Sequence, residues 1–248
     1  IQAQVRACRK RFVCIPAGRR TGKTLLCKRR LVREATRCGE AHGRPWSDPR
    51  FAFAAPTIGQ AKRVAWQDLV DMVPIGSVER INATDMSIHL RFGSSIHVCG
   101  LDVPERMEGV AWDGIIVDEA CNVLWPKAEP TLVPALAERR GWLWRVGVPK
   151  RFGPGAAHYR ALCERIAREP GPDEAVYSWP SSDILPPDVL RTMQEQLDPV
   201  DYLEQCEAKW QNAAARIFHA YDASYNLRPC QFCLLYTSDA ADDMQCVD

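Results

Sequence analysis

Eight consecutive residues, Ala17-Gly18-Arg19-Arg20-Thr21-Gly22-Lys23-Thr24, have the types and spacing that suit a phosphate group. Small residues let successive backbone N–H groups wrap an anion, and a helix that starts at the end of the loop adds its positive dipole end. The octet fits a relaxed phosphate-binding loop, with Ala17 where the strict pattern has Gly. In such a loop Lys23 reaches the β and γ phosphates of a nucleoside triphosphate, and the Thr24 hydroxyl binds Mg²⁺. The other reading of the same residues is a Gly/Arg surface turn.

A loop of this kind does not make a hydrolase without a second site. Gly114-Ile115-Ile116-Val117-Asp118-Glu119 is an apolar strand ending in two carboxylates, and Asp118 stands 95 residues after Lys23. At the end of a strand beside the loop, Asp118 holds Mg²⁺ and Glu119 polarises an attacking water. Taken alone, an Asp-Glu pair after a strand is also a common surface turn. A water-activating Glu119 speaks against a small-molecule kinase, whose phosphoryl acceptor is not water. Arg19 and Arg20 leave two roles open: one lies along the γ-phosphate and stabilises the transition state in cis, or both bind backbone carbonyls or the acidic part of the chain.

The elements that must position these groups follow from apolar periodicity. Arg11–Ile15 (RFVCI) reads as a buried strand and Lys23–Cys38 as the helix after it. Phe51–Ala54 is a second strand, Pro56-Thr57 a helix start, and Gln60–Val73 has the apolar spacing of one helical face. Met86–Leu90 and Ser95–Cys99 alternate around Phe92-Gly93-Ser94, the signal of an antiparallel hairpin at a sheet edge. Gly114–Val117 and Trp142–Val148 are further core strands, and beyond Ile184 the chain turns to proline-punctuated helix, Pro187–Gln196 and Asp201–Ala213, expected to form a lid or linker. Short strands alternating with helices predict an α/β domain with a mainly parallel sheet.

Composition agrees with that class. At 248 residues, 46% hydrophobic and 25% charged, the chain excludes a disordered protein, a collagen-like repeat and a membrane-spanning protein, since no apolar run approaches ~18 residues. No apolar leader points to secretion. The net charge of +1 hides a polarity: residues 1–50 hold 14 Lys/Arg against 3 Asp/Glu, leaving 18 against 28 in the remainder. Such a basic block suits an anionic partner or a solvated helix face equally well. Eleven irregularly spaced cysteines read as reduced thiols, and Cys230-x-x-Cys233 has no second pair for a zinc site.

With these motifs in place, the sequence resembles the large subunit of a tailed-bacteriophage terminase. The matching segments are RFVCIPAGRRTGKT, FAFAAPTIGQAKRVAWQDL, RMEGVAWDGIIVDEA, LVPALAERRGWLWRVGVPK and YSWPSSDILPPDVL, in family order over most of residues 1 to about 220. The resemblance implies a RecA-like P-loop NTPase of the additional-strand, catalytic-glutamate type, with ATP and Mg²⁺ as its ligands. It implies an ATP-driven motor that moves double-stranded DNA into a procapsid, docked as a homo-oligomeric ring on a portal protein and served by a small subunit, in the host bacterial cytoplasm and away from membranes.

By position, Gln2 takes the adenine-contacting role, Ala17, Gly18, Thr21, Gly22, Lys23 and Thr24 bind the nucleotide, and Thr24 and Asp118 hold the metal. Glu119 is the catalytic carboxylate, Arg19 and Arg20 are candidate cis arginines, and Arg106 is the nearest match to a trans-acting arginine. Ala55-Pro56-Thr57 begins a helix that lies near the DNA path in related motors. Val148 stands where the coupling motif has a hydroxyl, so coupling is expected either to rest on Arg145 or Lys150 or to be weaker than usual.

The same resemblance divides the chain into an ATPase domain over 1–215, an N-terminal element being expected before Gln2, and a connector over 216–232 toward an RNase H-like nuclease that is not represented. CLLYTSDAAD (residues 233–242) is similar to the conceptual translation of a transposase-type sequencing adapter, so 233–248 is set aside from the fold. Two other readings stand beside the motor: a helicase or remodeller fragment, which needs a second domain of about 150 residues, and a catalytically impaired prophage remnant that only binds nucleotide or DNA.

Overall fold

The apolar pentad Phe12–Pro16 forms β1, and its last four residues are buried. A computed structural model describes residues 1–37 and 47–212, which belong to one unit, Ile1–Asn212. The connector, the adapter-like tail and Cys230-x-x-Cys233 lie outside the described residues.

Seven further strands join β1: β2 (Arg50–Ala55), β3 (Val78–Asn82), β4 (Ser87–Leu90), β5 (Ser95–Gly100), β6 (Gly114–Val117), β7 (Trp142–Gly147) and β8 (Glu174–Val176). Their order across the sheet is β3-β4-β5-β2-β6-β7-β1-β8. From β5 through β8 every pairing is parallel, while β3 and β4 add an antiparallel edge. All residues of β6 and β7 are buried, which is why they read as unbroken apolar runs rather than as alternating strands. β7 lies between β1 and β6, so one strand separates the phosphate loop from the Asp-Glu pair.

Helices cover both faces. On one side α2 (Lys23–Thr36) packs beside a helical run made of α3 (Ile58–Ala61), a π-helical turn (Lys62–Trp66) and α4 (Gln67–Met72). Thr57 caps that run by accepting from the Gln60 amide at 3.3 Å. On the other side lie α5 (Trp125–Ala137) and α6 (Ala156–Arg168), whose buried residues share a core with Ile115, Val117 and Leu143. The short α1 (Gln2–Ala7) rests on α2 through Val5.

Part of the N-terminal basic block is spent inside the fold. Lys28 is buried, bonded to the Val64 carbonyl and paired with Asp68. Arg30 lies over the rings of Trp142 and Trp144, 4.7 and 4.0 Å from their centroids, and donates to Cys8 O at 3.0 Å. The seven described cysteines are all free, and burial pushes the Cys99 and Cys121 thiols up to about 12.

Two strands carried no sequence signal. In β3 the three central residues are exposed, and β8 is only three residues long. One helix differs in extent: α7 (Pro187–Gln196) matches its expected limits, but the helix expected over Asp201–Ala213 is α8 (Pro199–Gln205). It stops because its last carbonyls are used elsewhere. Gln205 O accepts from the Arg19 amide at 2.6 Å and Cys206 O from the Ser181 amide at 2.6 Å, after which Ala208 turns with φ 55°. Among the described residues, no helix is long and apolar enough to cross a membrane.

Candidate nucleotide-binding site

The loop between β1 and α2 is held from outside and open at its centre. The Ala17 amide donates to Gly147 O (3.1 Å) and the Gly18 amide to Trp179 O (2.9 Å). Ala17 has no positive φ, so its buried methyl group is accommodated where the strict pattern has Gly. Gly18 has no such latitude: a Cβ there would stand 2.6 Å from Ser181 Oγ and 2.8 Å from Cys206 O. Arg20 and Gly22 take left-handed backbones, φ 58° and 74°, which wind the chain into a tight concave turn. The first amides of α2 then lack intrahelical acceptors and face that turn, the arrangement that binds an anion. Thr21 and Lys23 both close on the Gly18 carbonyl, Oγ1 at 2.8 Å and Nζ at 3.0 Å.

Opposite the loop, β6 delivers Asp118 and Glu119. Thr24 Oγ1 donates to Asp118 Oδ2 at 2.9 Å, and the Glu119 amide donates to Asp118 Oδ1 at 2.9 Å. Burial raises the Asp118 pKa, with the neighbouring Glu119 charge adding to it, while the two hydrogen bonds and Lys23 oppose the rise. Burial lowers the Lys23 pKa, against the pull of Asp118 and Glu119. Thr24 and Asp118 thus offer adjacent hard oxygen donors, the set Mg²⁺ uses when phosphate oxygens and water complete its shell. Among the described residues no cluster of three or more His, Cys, Asp or Glu could hold a metal by itself.

Glu119 has an uncommon backbone, φ 54°, and its side chain meets Lys150 Nζ (3.3 Å from Oε2) and Asn122 Nδ2 (3.4 Å from Oε2). Gln2 lies at the other end of the loop and donates from Nε2 to Thr21 O at 2.7 Å. It borders a cavity of about 220 Å³ between α1 and α2, lined also by Arg6, Gly22, Leu25 and Arg29, a partly apolar slot with guanidinium groups that suits a flat base.

Arg19 and Arg20 are exposed beside the loop, and the Arg19 carbonyl accepts from Ser181 Oγ at 2.8 Å. Arg106 is elsewhere, on a 3-10 turn (Pro104–Met107), where it lines a separate groove with His89, His97 and Trp112. The structure therefore brings together Gln2, Ala17, Gly18, Arg19, Arg20, Thr21, Gly22, Lys23, Thr24, Asp118 and Glu119, and leaves Arg106 apart.

Of the two coupling candidates, Arg145 points away. It pairs with Glu129 (2.7 Å), lies over Trp125 and is buried on the α5 side of the sheet, because alternate residues of β7 face opposite ways. Lys150, just beyond β7, faces Glu119. Asn122, Ser181 and Gln205 carried no sequence signal as site residues. Arg6 shares the Gln2 face one helical turn on, which periodicity does contain; the contacts of Ser181 and Gln205 with the loop depend on chain reversal alone.

Among solved structures, the chain is similar to the large terminase ATPase domain of Thermus phage P74-26, with TM-score 0.69 and 16% identity over 85% of this chain and 93% of that one. It is also similar to the large terminase from a thermophilic bacteriophage, with TM-score 0.64 and 15% identity over 82% of this chain and 49% of that one. Structures of the same thermophilic-phage protein in complex with ADP and with ATP-γ-S match as well. A third is the HK97 bacteriophage large terminase, with TM-score 0.56 and 12% identity over 81% of this chain. The chain spans 40% of the HK97 protein, so it corresponds to about half or less of these two longer terminases. No family model and no curated protein matches the sequence. At these identities the likeness shows the fold, the RecA-like P-loop fold of terminase ATPase domains.

Proposed function

We propose that this chain is the ATP-hydrolysing motor domain of a phage large terminase, which moves double-stranded DNA into a procapsid. The contact that carries the reading is Thr24 Oγ1 to Asp118 Oδ2, 2.9 Å, which joins the first turn of α2 to the end of β6, 94 residues on in sequence. Support comes also from Lys23 behind the loop, Glu119 at the strand end, and the shared fold with proteins that bind ADP and ATP-γ-S.

The chain's own groups account for the chemistry. The α2 amides hold the β-phosphate, and Lys23 leaves Gly18 O for the phosphate oxygens, where its charge is worth more in a buried site. Thr24 and Asp118 would hold Mg²⁺, which would supply charge neutralisation to the phosphates. Glu119 orients a water in line with the γ-phosphorus and accepts its proton. Arg19 or Arg20, exposed at the rim, lies along the γ-phosphate. Gln2 and the slot beside Arg6 and Arg29 receive the base.

Motion of the Ala55-Pro56-Thr57 helix run against DNA would turn hydrolysis into translocation. Its grip is expected on phosphates, blind to sequence and steeply weakened by salt. Portal, small subunit and ring assembly belong to the same proposal.

ATP turnover tests it. Lys23→Ala is expected to abolish hydrolysis, with a loss of at least about a hundredfold, and Glu119→Gln to retain ATP binding while losing hydrolysis to a similar extent. Full activity in either variant removes the site assignment.

A further inference from the structure

The slot between α1 and α2 has a chemically one-sided lining. Gly22, Leu25, Arg29 and Arg33 recur at helical spacing along one side of α2 and line it together with Gln2 and Arg6, one turn apart on α1. Leu25 stays 39% exposed, whereas the next residue, Leu26, is buried in the core. An uncovered leucine is an apolar wall for the face of a ring.

The polar part of the lining is rich in donors. Arg6 and Arg29 are exposed. Arg30 Nε, Arg33 Nε and Trp144 Nε1, buried atoms of residues that also line the slot, have no acceptor among the described residues. No carboxylate lines the slot among those residues, and Glu34 pairs with Arg33 at 3.2 Å. Gln2 differs: its Nε2 is spent on Thr21 O (2.7 Å), which leaves Oε1 as an acceptor.

These groups suit two kinds of purine. Adenine carries a donor, its 6-amino group, beside the N7 acceptor. Gln2 Oε1 can take that donor, but a guanidinium at the same edge meets an N–H. A 6-keto purine instead carries two acceptors, O6 and N7, the pair that one arginine fork engages together. Arg29 lies seven residues beyond Gly22, about 10 Å along the helix, with Leu25 between them. A nucleotide with its phosphates at the first turn of α2 therefore lays its base on Leu25 and its far edge toward Arg29.

We propose that the slot admits 6-keto purines as well as adenine, that Arg29 is the residue that reads them, and that the chain turns over GTP and ITP besides ATP. The inference rests on the ATPase reading and names the substrate class of that same site, purine nucleoside triphosphates rather than ATP alone. The base does not touch the reacting atoms, so the reaction is the one derived for ATP. The water oxygen bonds to the γ-phosphorus, and the β–γ bridging oxygen leaves with the diphosphate and the electron pair.

The test is competition of ATP, GTP and ITP against a fluorescent nucleotide on the full chain, with turnover of each. ITP lacks the 2-amino group of GTP and so isolates O6 and N7. Wild type is expected to bind GTP and ITP within about tenfold of ATP and to hydrolyse all three. Arg29→Met keeps the aliphatic stem. It is expected to weaken GTP and ITP by about tenfold or more, the scale of one charge-assisted pair, to change ATP by less than about threefold, and to leave Tm unchanged.

Equal losses for all three nucleotides in Arg29→Met, or no loss for any, overturn the inference. So does a wild type that discriminates against GTP and ITP beyond tenfold, a result independent of how the variant folds. In each case the ATPase reading stands, provided wild type turns over ATP and Lys23→Ala loses it. A wild-type chain without ATP turnover, or a Lys23→Ala variant that keeps it, overturns both.

Discussion

At the scale of single residues, the site depends on side chains that share partners. Gly18 O receives both Thr21 and Lys23, Thr21 O receives Gln2, and Asp118 receives Thr24 and the Glu119 amide. Gln2 braces the loop and borders the slot between α1 and α2 proposed above for the base. A braced loop should matter to any nucleotide, whereas an amide edge distinguishes adenine from guanine. Gln2→Ala is therefore expected to weaken ATP by about three- to tenfold and to narrow the preference for ATP over GTP, measured by competition against a fluorescent nucleotide. Equal losses for ATP and GTP would reduce Gln2 to a brace. Lys23, Thr24, Asp118 and Glu119 were legible because each chemical role demands a particular residue type at a fixed spacing. Asn122 and Lys150 were less so, because what matters is where two turns place them.

At the scale of elements, the C-terminal helices are tied to the phosphate loop. Arg151 Nη1 reaches Asp201 Oδ1 (2.8 Å) and Glu204 Oε2 (3.1 Å) on α8, Gln205 O takes the Arg19 amide, and Ser181 Oγ donates to Arg19 O (2.8 Å). Lys150 and Arg151 are adjacent, so one turn touches both Glu119 and α8. Burial raises the Glu204 pKa, and Arg151 counters it, so this carboxylate relies on its partner. Arg151→Ala is expected to loosen α8 selectively: hydrogen exchange over 199–205 and at the Arg19 amide should quicken by about tenfold or more, while β6 and β7 stay protected. Uniform exchange across the domain would show general destabilisation instead. The helices from Pro187 onward read as a lid or linker; the packing of α8 against the loop was invisible, since carbonyl contacts leave no trace in side-chain pattern.

At the scale of the whole molecule, Arg106 is the residue its own site does not use. It stands on an exposed turn and lines a groove of about 760 Å³ on the hairpin side of the sheet, apart from the P-loop. In a ring, such an arginine is expected to act on a neighbour's nucleotide. Arg106→Ala mixed with wild-type chains under packaging conditions should then depress activity more steeply than in proportion to its share; a linear average of the two rates would place Arg106 outside catalysis. At this scale the strand order sets β7 alone between β1 and β6, which brings the loop after β1 beside the Asp-Glu pair after β6.

By itself the sequence determined the α/β class and the parallel core strands, because burial on both faces restricts residue type locally, and it marked Lys23, Thr24, Asp118 and Glu119 as the candidates for phosphate, metal and water, because that chemistry restricts residue type too. Only the tertiary structure decided that Arg145 faces away while Lys150 meets Glu119, that α8 ends at Gln205, and that Lys28 and Arg30 are internal. The physical reason is common to all three: the partners are distant in sequence, and which side of a strand or turn a group occupies is fixed by packing and main-chain hydrogen bonds rather than by its own identity.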